Sequence, residues 1–497
     1  MIRKTVSLVS LAALSACSLA PKYVEPALPV PPSWPVGDAY LAQNEATLPS
    51  VSYRDIFRDP RLQQVIEQAL VNNRDLRAAA ANIAIARAQN RNQRAELLPE
   101  IGGSAGYTRR DNGTRGVSNA GTGTGTGNTG TGNAGTITTS GGATNTFSAS
   151  LGITAFEIDL FGRIRSLTTA AQNRYFGSEA TARATRLTLV GDIATAWLTY
   201  ASDVSLLKIA RETAALSARS VALTKLRLDG GIAPRTDLAQ AQIVQQTALS
   251  DLATQTTAVA QDVNALQLLV GAPVDPALLP ASIEEAAPTI AELPAGLNSS
   301  ILLRRPDVVQ AEYELRASNA EIGAARAALF PTISLTALAG LASSSLGNLF
   351  TGGAFNYSVA PSASYPIFRA GAGRAGVVQS RAQRDYALAT YEKAIQTAFS
   401  EVADALARRG TITAQLNAQR ALTAASTDNY RLSDARYRGG IDTFLQSLTA
   451  QQSLYSSQRS LVTAQLTQAS NLVTLYRTLG GDSTLEVTTA GPKSAQP

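Results

Sequence analysis

Arg94-Ala95-Glu96-Leu97-Leu98-Pro99-Glu100-Ile101 returns, altered but recognisable, as Arg326-Ala327-Ala328-Leu329-Phe330-Pro331-Thr332-Ile333. A second echo follows each of these. Arg227-Leu228-Asp229-Gly230-Gly231-Ile232 and Arg436-Tyr437-Arg438-Gly439-Gly440-Ile441 each separate two long Ala/Gln-rich stretches. Pro99 to Gly230 and Pro331 to Gly439 are therefore matching intervals of a duplicated chain, and self-similarity of this kind sets the architecture before any local motif does. The 497 residues read as two similar halves of one body.

Between the echoes the chain is built for helices. No proline occurs between Pro99 and Pro234 or from Ile367 to Gly491, and outside a Gly/Thr-rich segment Ala, Gln, Leu and Arg are abundant there. Only Gly410 interrupts the run between Gly376 and Gly439. A helix of about 60 residues measures roughly 90 Å at 1.5 Å per residue, far beyond an ordinary globular helix, so coiled-coil-like packing is expected. Spacings of three and four place Leu422, Ala425, Asn429, Leu432 and Ala435 on one expected seam. Leu445, Leu448, Gln452 and Tyr455 form another, with Leu461, Ala464, Gln468 and Leu472 beyond it.

Four short segments break the helical pattern. Ile101 to Tyr107, Thr146 to Phe156, Thr332 to Leu338 and Tyr357 to Ile367 mix small, polar and apolar residues in rough alternation. Each is near the length of a transmembrane strand, about 9–11 residues. Pro361 and Pro366 weaken the fourth, because proline cannot donate to a ladder. The Gly/Thr/Asn-rich stretch from Thr108 to Asn145 reads as a long loop without a core, and a shorter loop spans Ser343 to Ala354. Four strands cannot close a barrel, and an open edge in lipid leaves backbone groups unpaired at several kcal/mol each. Other copies of the chain must complete it.

The N-terminus is an address. Arg3 and Lys4 precede an apolar run from Val6 to Leu14 and then Ser15-Ala16-Cys17, a secretory signal too short to span a membrane. Cys17, the chain's one cysteine, stands where a bacterial lipoprotein receives its lipid. Ser18 rather than aspartate after it points to the outer membrane. Pro21, Pro26, Pro29, Pro31, Pro32 and Pro35 then make an extended leash. The expected division is 1–16 signal peptide, 17–55 lipid-anchored segment, 56–270 first repeat, 271–300 equatorial linker, 301–480 second repeat and 481–497 flexible tail.

Composition excludes several functions. The chain has no histidine, which removes imidazole bases, Ser-His pairs and Cys/His zinc sites, and no acidic cluster suggests carboxylate chemistry. An enzyme is not expected, nor any cofactor beyond a covalent lipid on Cys17. The formal charge of +6 comes from scattered arginines, with no block of the kind that binds nucleic acid.

Several strings carry a resemblance. They are Leu14-Ser15-Ala16-Cys17 with Pro21-Lys22-Tyr23, Phe156-Glu157-Ile158-Asp159-Leu160-Phe161-Gly162-Arg163, Arg304-Arg305-Pro306-Asp307-Val308, Ala317-Ser318-Asn319-Ala320-Glu321-Ile322-Gly323 with Leu329-Phe330-Pro331, and Arg436 to Asp442. The chain resembles the TolC-like outer-membrane factor family, in its lipoprotein branch serving RND-type efflux. The resemblance implies an α+β membrane protein, a homotrimer with a twelve-stranded transmembrane β-barrel continued by an α-helical periplasmic barrel. It implies a passive duct for small molecules, partnered by a periplasmic adaptor, an inner-membrane RND pump and outer-membrane lipid. By position it also implies that Gly230-Gly231 and Gly439-Gly440 form the adaptor-docking turns. It assigns Leu445 as an apolar constriction and Tyr437, Arg438, Asp442 and Asp237 as latch residues. The chain departs from the family at Thr449, where many relatives carry an aspartate, and Gln446 stands at another acidic position. The same fold also serves as an outlet for secreted proteins. A lipid-anchored spacer without a pore would explain Cys17 and the helices but not the strand pairs.

Overall fold

A computed structural model describes residues 18–40, 52–111, 143–292 and 298–495. The signal peptide, Cys17 and residues 112–142 of the Gly/Thr-rich stretch lie outside them. In chain order the elements are α1 (Tyr53–Ile56), α2 (Pro60–Asn72), α3 (Arg74–Ala95), β1 (Ile101–Asp111), β2 (Ala143–Glu157), α4 (Arg163–Asp229), α5 (Arg235–Val270) and α6 (Ile283–Ala286). The second half runs α7 (Pro306–Ala327), β3 (Thr332–Ser343), β4 (Phe355–Ser364), α8 (Ala372–Arg438) and α9 (Phe444–Thr478), then β5 (Leu485–Glu486) and β6 (Lys493–Ser494). The duplication shows in the lengths. Helices α3, α4 and α5 have 22, 67 and 36 residues, and α7, α8 and α9 have 22, 67 and 35.

The chain divides into two compact units. The first holds the sheet, a four-stranded antiparallel array in the order β1-β2-β3-β4. The expected strand pairs are the two hairpins, and β2 joins them by pairing with β3. A bulge between Ile153 and Phe156 puts Ala155 at φ 54°. The fourth strand is displaced from its expected span. It starts at Phe355 and stops at Ser364, before Pro366, and Pro361 lies within it opposite Leu335 of β3. The strand-to-helix junction is closed by Asp159, whose carboxylate accepts from the N–H groups of Arg163 (2.6 Å) and Arg165 (2.9 Å) at the start of α4.

The second unit contains the main core. Phe57, Leu62, Ile66, Ile193, Trp197, Leu198, Leu266 and Ile283 are fully buried, with Phe57 edge-on to Tyr476 at 5.4 Å. Trp197 donates from Nε1 to the Leu278 carbonyl at 3.1 Å and lies under the Arg61 guanidinium. Pro306 opens α7 with Asp307 in its first turn, where proline's missing N–H costs nothing. Arg305 is buried, gripping Asp307 through two nitrogens, Glu401 and the carbonyl of Thr478, so it clasps three parts of the chain. The tail expected to be flexible is docked instead. Leu485 is fully buried, β5 pairs with β6, and Tyr313 donates to the Thr488 carbonyl at 2.9 Å.

The leash of residues 18–40 lies as a strap against the rest of the chain, anchored at a few side chains. Tyr23 donates to buried Glu312 at 3.2 Å beneath the Arg316 guanidinium, and Trp34 stacks on Phe399 at 4.9 Å with only 3% of its surface exposed. Gly410 of α8 is where the strap crosses: a Cβ there would lie 2.1 Å from the Ala39 carbonyl oxygen. The helix runs through Gly410 without a break.

The helix seam lies one residue away from the expected one. Along α8 a buried or half-buried side chain recurs every three or four residues: Tyr391, Ile395, Ala398, Val402, Ala405, Arg409, Ile412, Leu416, Gln419, Thr423, Ser426, Tyr430, Ser433 and Tyr437. Leu422 and Leu432, which were expected inside, are 53% and 57% exposed. The heptad spacing is that of a left-handed coiled coil, but its composition changes along the way. It is mostly apolar up to Leu416 and largely hydroxyl or amide beyond. Gln419 and Thr423 both donate to the Ser457 carbonyl, at 3.2 and 3.1 Å, tying α8 to α9. On α9, Leu448 is buried as expected, whereas Leu445 and Gln452 face outward.

One carboxyl pair crosses α4 and α5. Burial and the neighbouring Asp203 push the Asp262 carboxyl up to about 7, and burial raises Asp203 as well. Asp262 sits thirty-one residues beyond Gly231, and the same count from Gly440 reaches Asn471, an amide donating to the Ala405 carbonyl at 3.0 Å. The folded chain holds the Asp262 proton more tightly than an unfolded carboxyl of pKa about 3.9 does. Its stabilisation is therefore complete below about pH 4 and is lost as pH rises through 7. Asp262→Asn should leave stability almost unchanged at pH 4 and raise it at pH 8. Denaturation midpoints at the two pH values check this; an equal shift at both would refute it.

Candidate functional site

Two helix reversals form the site, and both are built alike. At the end of α4, the N–H of Ile232 bonds to the Arg227 carbonyl at 2.8 Å and that of Gly231 to Leu228 at 2.9 Å. At the end of α8, Ile441 bonds to Arg436 at 2.9 Å and Gly440 to Tyr437 at 3.0 Å. Gly231 and Gly440 take φ 70° and 74°, the left-handed conformation that this termination needs and that glycine adopts without a Cβ penalty. Gly230 and Gly439 precede them with N–H bonds of 3.0 Å to Leu226 and Ala435.

The turns differ at one position. Two residues past Gly440 stands Asp442; two past Gly231 stands Ala233. Asp442 holds Arg436 through two bonds of 2.7 and 2.9 Å, and those bonds keep its carboxyl below the usual range. Arg227, the counterpart of Arg436, has no such partner in its own turn. Its guanidinium crosses to the other hairpin, donates to the carbonyls of Tyr437 (3.2 Å) and Arg438 (3.3 Å), and lies 4.2 Å from the centre of the Tyr437 ring.

Tyr437 is 6% exposed, packed with Ala241, Phe444 and Leu448. Its hydroxyl is buried and has no hydrogen-bond partner among the described residues. No hydrogen bond joins the Tyr437 hydroxyl to Asp237 within this chain. Asp237 lies half-buried in the first turn of α5, and no ion pair to it forms among the described residues. Arg438 pairs along its own helix with Asp434 at 2.8 Å. Asp442 is engaged by Arg436, inside its own turn. Of the four latch candidates, Tyr437 and Arg438 take part in the contact between hairpins, Tyr437 through its ring and carbonyl and Arg438 through its carbonyl alone. Sequence reading missed Arg227, although the echo Arg227/Arg436 was in view; the signal was the unmatched Asp442.

Leu445 and Thr449 share one face of α9, one turn apart, and Thr449 donates to the Leu445 carbonyl at 2.9 Å. Leu445 is 58% exposed and Leu448 6%, so the two leucines look in opposite directions. Gln446 is exposed as well. Further along, Tyr455 donates to Asp251 at 2.7 Å under the Arg459 guanidinium and ties α9 to α5. Among the described residues no group of three or more metal-ligating side chains occurs, and no helix is long and apolar enough to cross a membrane. The sheet is another matter: Phe355, Tyr357, Val359, Tyr365 and Phe368, on and just after β4, are all more than half exposed in the single chain.

The profile of the family described as outer membrane efflux protein matches residues 65–272 and 297–481. The chain belongs to that family. Among its relatives is the probable efflux pump outer membrane protein TtgC of Pseudomonas putida, 44% identical over 483 residues and covering 96% of each chain. Outer membrane protein OprJ of Pseudomonas aeruginosa is 35% identical, covering 94% of this chain and 93% of the relative. The open-state MtrE outer membrane channel of Neisseria gonorrhoeae superposes with a TM-score of 0.80 at 31% identity, over 94% of this chain and 99% of that one. This outer membrane efflux protein is thus an efflux channel of the outer membrane, with the fold of that family.

Proposed function

We propose that the chain is the outer-membrane duct of a tripartite RND-type efflux system. It passively conducts drugs or other small molecules handed over by an inner-membrane pump and a periplasmic adaptor. The observation that carries the assembly is the sheet: four strands with β1 and β4 as bare edges. Backbone groups at such edges cannot remain unpaired in hydrocarbon, so β4 of one copy pairs with β1 of the next. Three copies give twelve strands, an even number within the range of membrane barrels. The outward leucines Leu422 and Leu432 then supply the contact between neighbouring copies. A lipid on Cys17 anchors the strap to the same membrane.

The turns at Gly230-Gly231 and Gly439-Gly440 present Ile232 and Ile441, which are 80% and 68% exposed. Apolar side chains at the apex of a helix hairpin suit docking to an adaptor. No catalytic step is needed, since the pump supplies the energy. The constriction in this scheme is a ring of Leu445 side chains, followed one turn on by hydroxyls of Thr449 and not by carboxylates. Without an acidic ring the closed end attracts cations less and repels anions less.

Conductance in planar bilayers tests the proposal. The parent channel should discriminate weakly between cations and anions. Thr449→Asp should raise cation preference and make the current sensitive to divalent cations. No change in either property would remove Thr449 from the pore, and no conductance at all would remove the duct.

A further inference from the structure

We infer that Arg227 is the pin that holds the two helix hairpins of one chain together at their ends, and that Ala233 is what leaves it free to do so. The evidence is a comparison inside one molecule. Two turns share the same hydrogen bonds and the same left-handed glycine, and each carries an arginine four residues before that glycine. Where the turn offers a carboxylate, at Asp442, the arginine folds back onto it in a two-pronged bond. Where the turn offers Ala233, the arginine spans to its neighbour.

The receiving surface suits a guanidinium. The carbonyls of Tyr437 and Arg438 close α8, where the helix end carries partial negative charge, and a carbonyl such as that of Tyr437, which already accepts the Gly440 N–H, keeps a second lone pair for the guanidinium. The Tyr437 ring adds its negative face at 4.2 Å. The planar fork of arginine bonds two carbonyls and stacks at once, which a lysine cannot do. The buried Tyr437 hydroxyl makes no bond, so nothing else polar fixes this ring among the described residues. Arg227 therefore acts as a positioning residue. It sets the spacing of the hairpins that carry Leu445 and Thr449, and its bearing on conduction rests on the gate proposed above.

Ala233→Asp should recapture Arg227 into its own turn, in the geometry that Arg436 and Asp442 already display. Arg227→Ala should remove the pin outright, and Arg227→Lys should preserve it only in part. Spin labels at Ile232→Cys and Ile441→Cys, in labelled chains diluted with unlabelled ones, report the separation of the turns. Both Ala233→Asp and Arg227→Ala should lengthen and broaden that distance, and Ala233→Asp should add nothing in an Arg227→Ala background. In bilayers the same variants should shift the closed-to-open balance by about tenfold, the size of a typical coupling. Unchanged distances in both variants overturn the pin, as does an Ala233→Asp effect that persists without Arg227. Longer distances with unchanged conductance uphold the pin and overturn the gate.

Discussion

Gly410→Ala lowers stability, although a helix interior should welcome the change. Propensity alone credits alanine over glycine with about 1 kcal/mol at an interior helix position. Space argues the other way: the added methyl would meet the Ala39 carbonyl oxygen at 2.1 Å and its carbon at 2.8 Å. Backbone of the strap must move, and Trp34 loses its stack on Phe399. Burying a large aromatic side chain is worth on the order of 3 kcal/mol, so the loss outweighs the gain. The sign of the change decides the matter. The chain has two tryptophans, Trp34 and Trp197. In a Trp197→Phe background the emission of Trp34 reports the strap alone and should move to the red in Gly410→Ala. An unshifted emission together with a higher unfolding midpoint would show that the strap does not rest on that glycine.

Trp197→Ala is expected to be the most damaging single change in the second unit. The side chain is fully buried, its Nε1 bonds to the Leu278 carbonyl, and Arg61 lies over its ring. Truncating a buried aromatic costs about 3–5 kcal/mol through lost transfer energy and the cavity left behind. The orphaned Leu278 carbonyl adds a smaller penalty of about 1–3 kcal/mol. Denaturant midpoints of parent, Trp197→Phe and Trp197→Ala should fall in that order. A Trp197→Ala midpoint within error of the parent would mean that the core centred on Leu62, Ile193 and Leu266 is not what holds the unit together.

The parts legible in the sequence were those written twice or written in backbone chemistry. The duplicated strings placed both hairpins of strands and both glycine turns, because strand, turn and helix signals are local. The seam was not legible at its polar end. Leu422 and Leu432 outrank Ser426 and Ser433 on any hydropathy argument, yet the hydroxyls are inside and the leucines outside. The hydrophobic rule assumes that one chain buries its own apolar face, whereas this chain leaves Leu422 and Leu432 on its own surface. The tail was misjudged for a related reason: its few anchors, Leu485 and the Thr488 carbonyl bound by Tyr313, are single contacts without periodicity. Arg227 escaped because its hydrogen bonds go to main-chain carbonyls distant in sequence, and its one mark in the sequence is indirect, the Asp442 that its own turn lacks.

The change of composition along α8 has a mechanical corollary. Leucine and isoleucine knobs interlock, and sliding one past another opens voids that cost energy. Serine, threonine and glutamine can exchange one carbonyl for the next with little penalty. The α8 rod is therefore stiff through its middle and compliant towards the Gly439 bend, so bending strain collects over its last few turns, where hydroxyls have taken the place of aliphatic knobs.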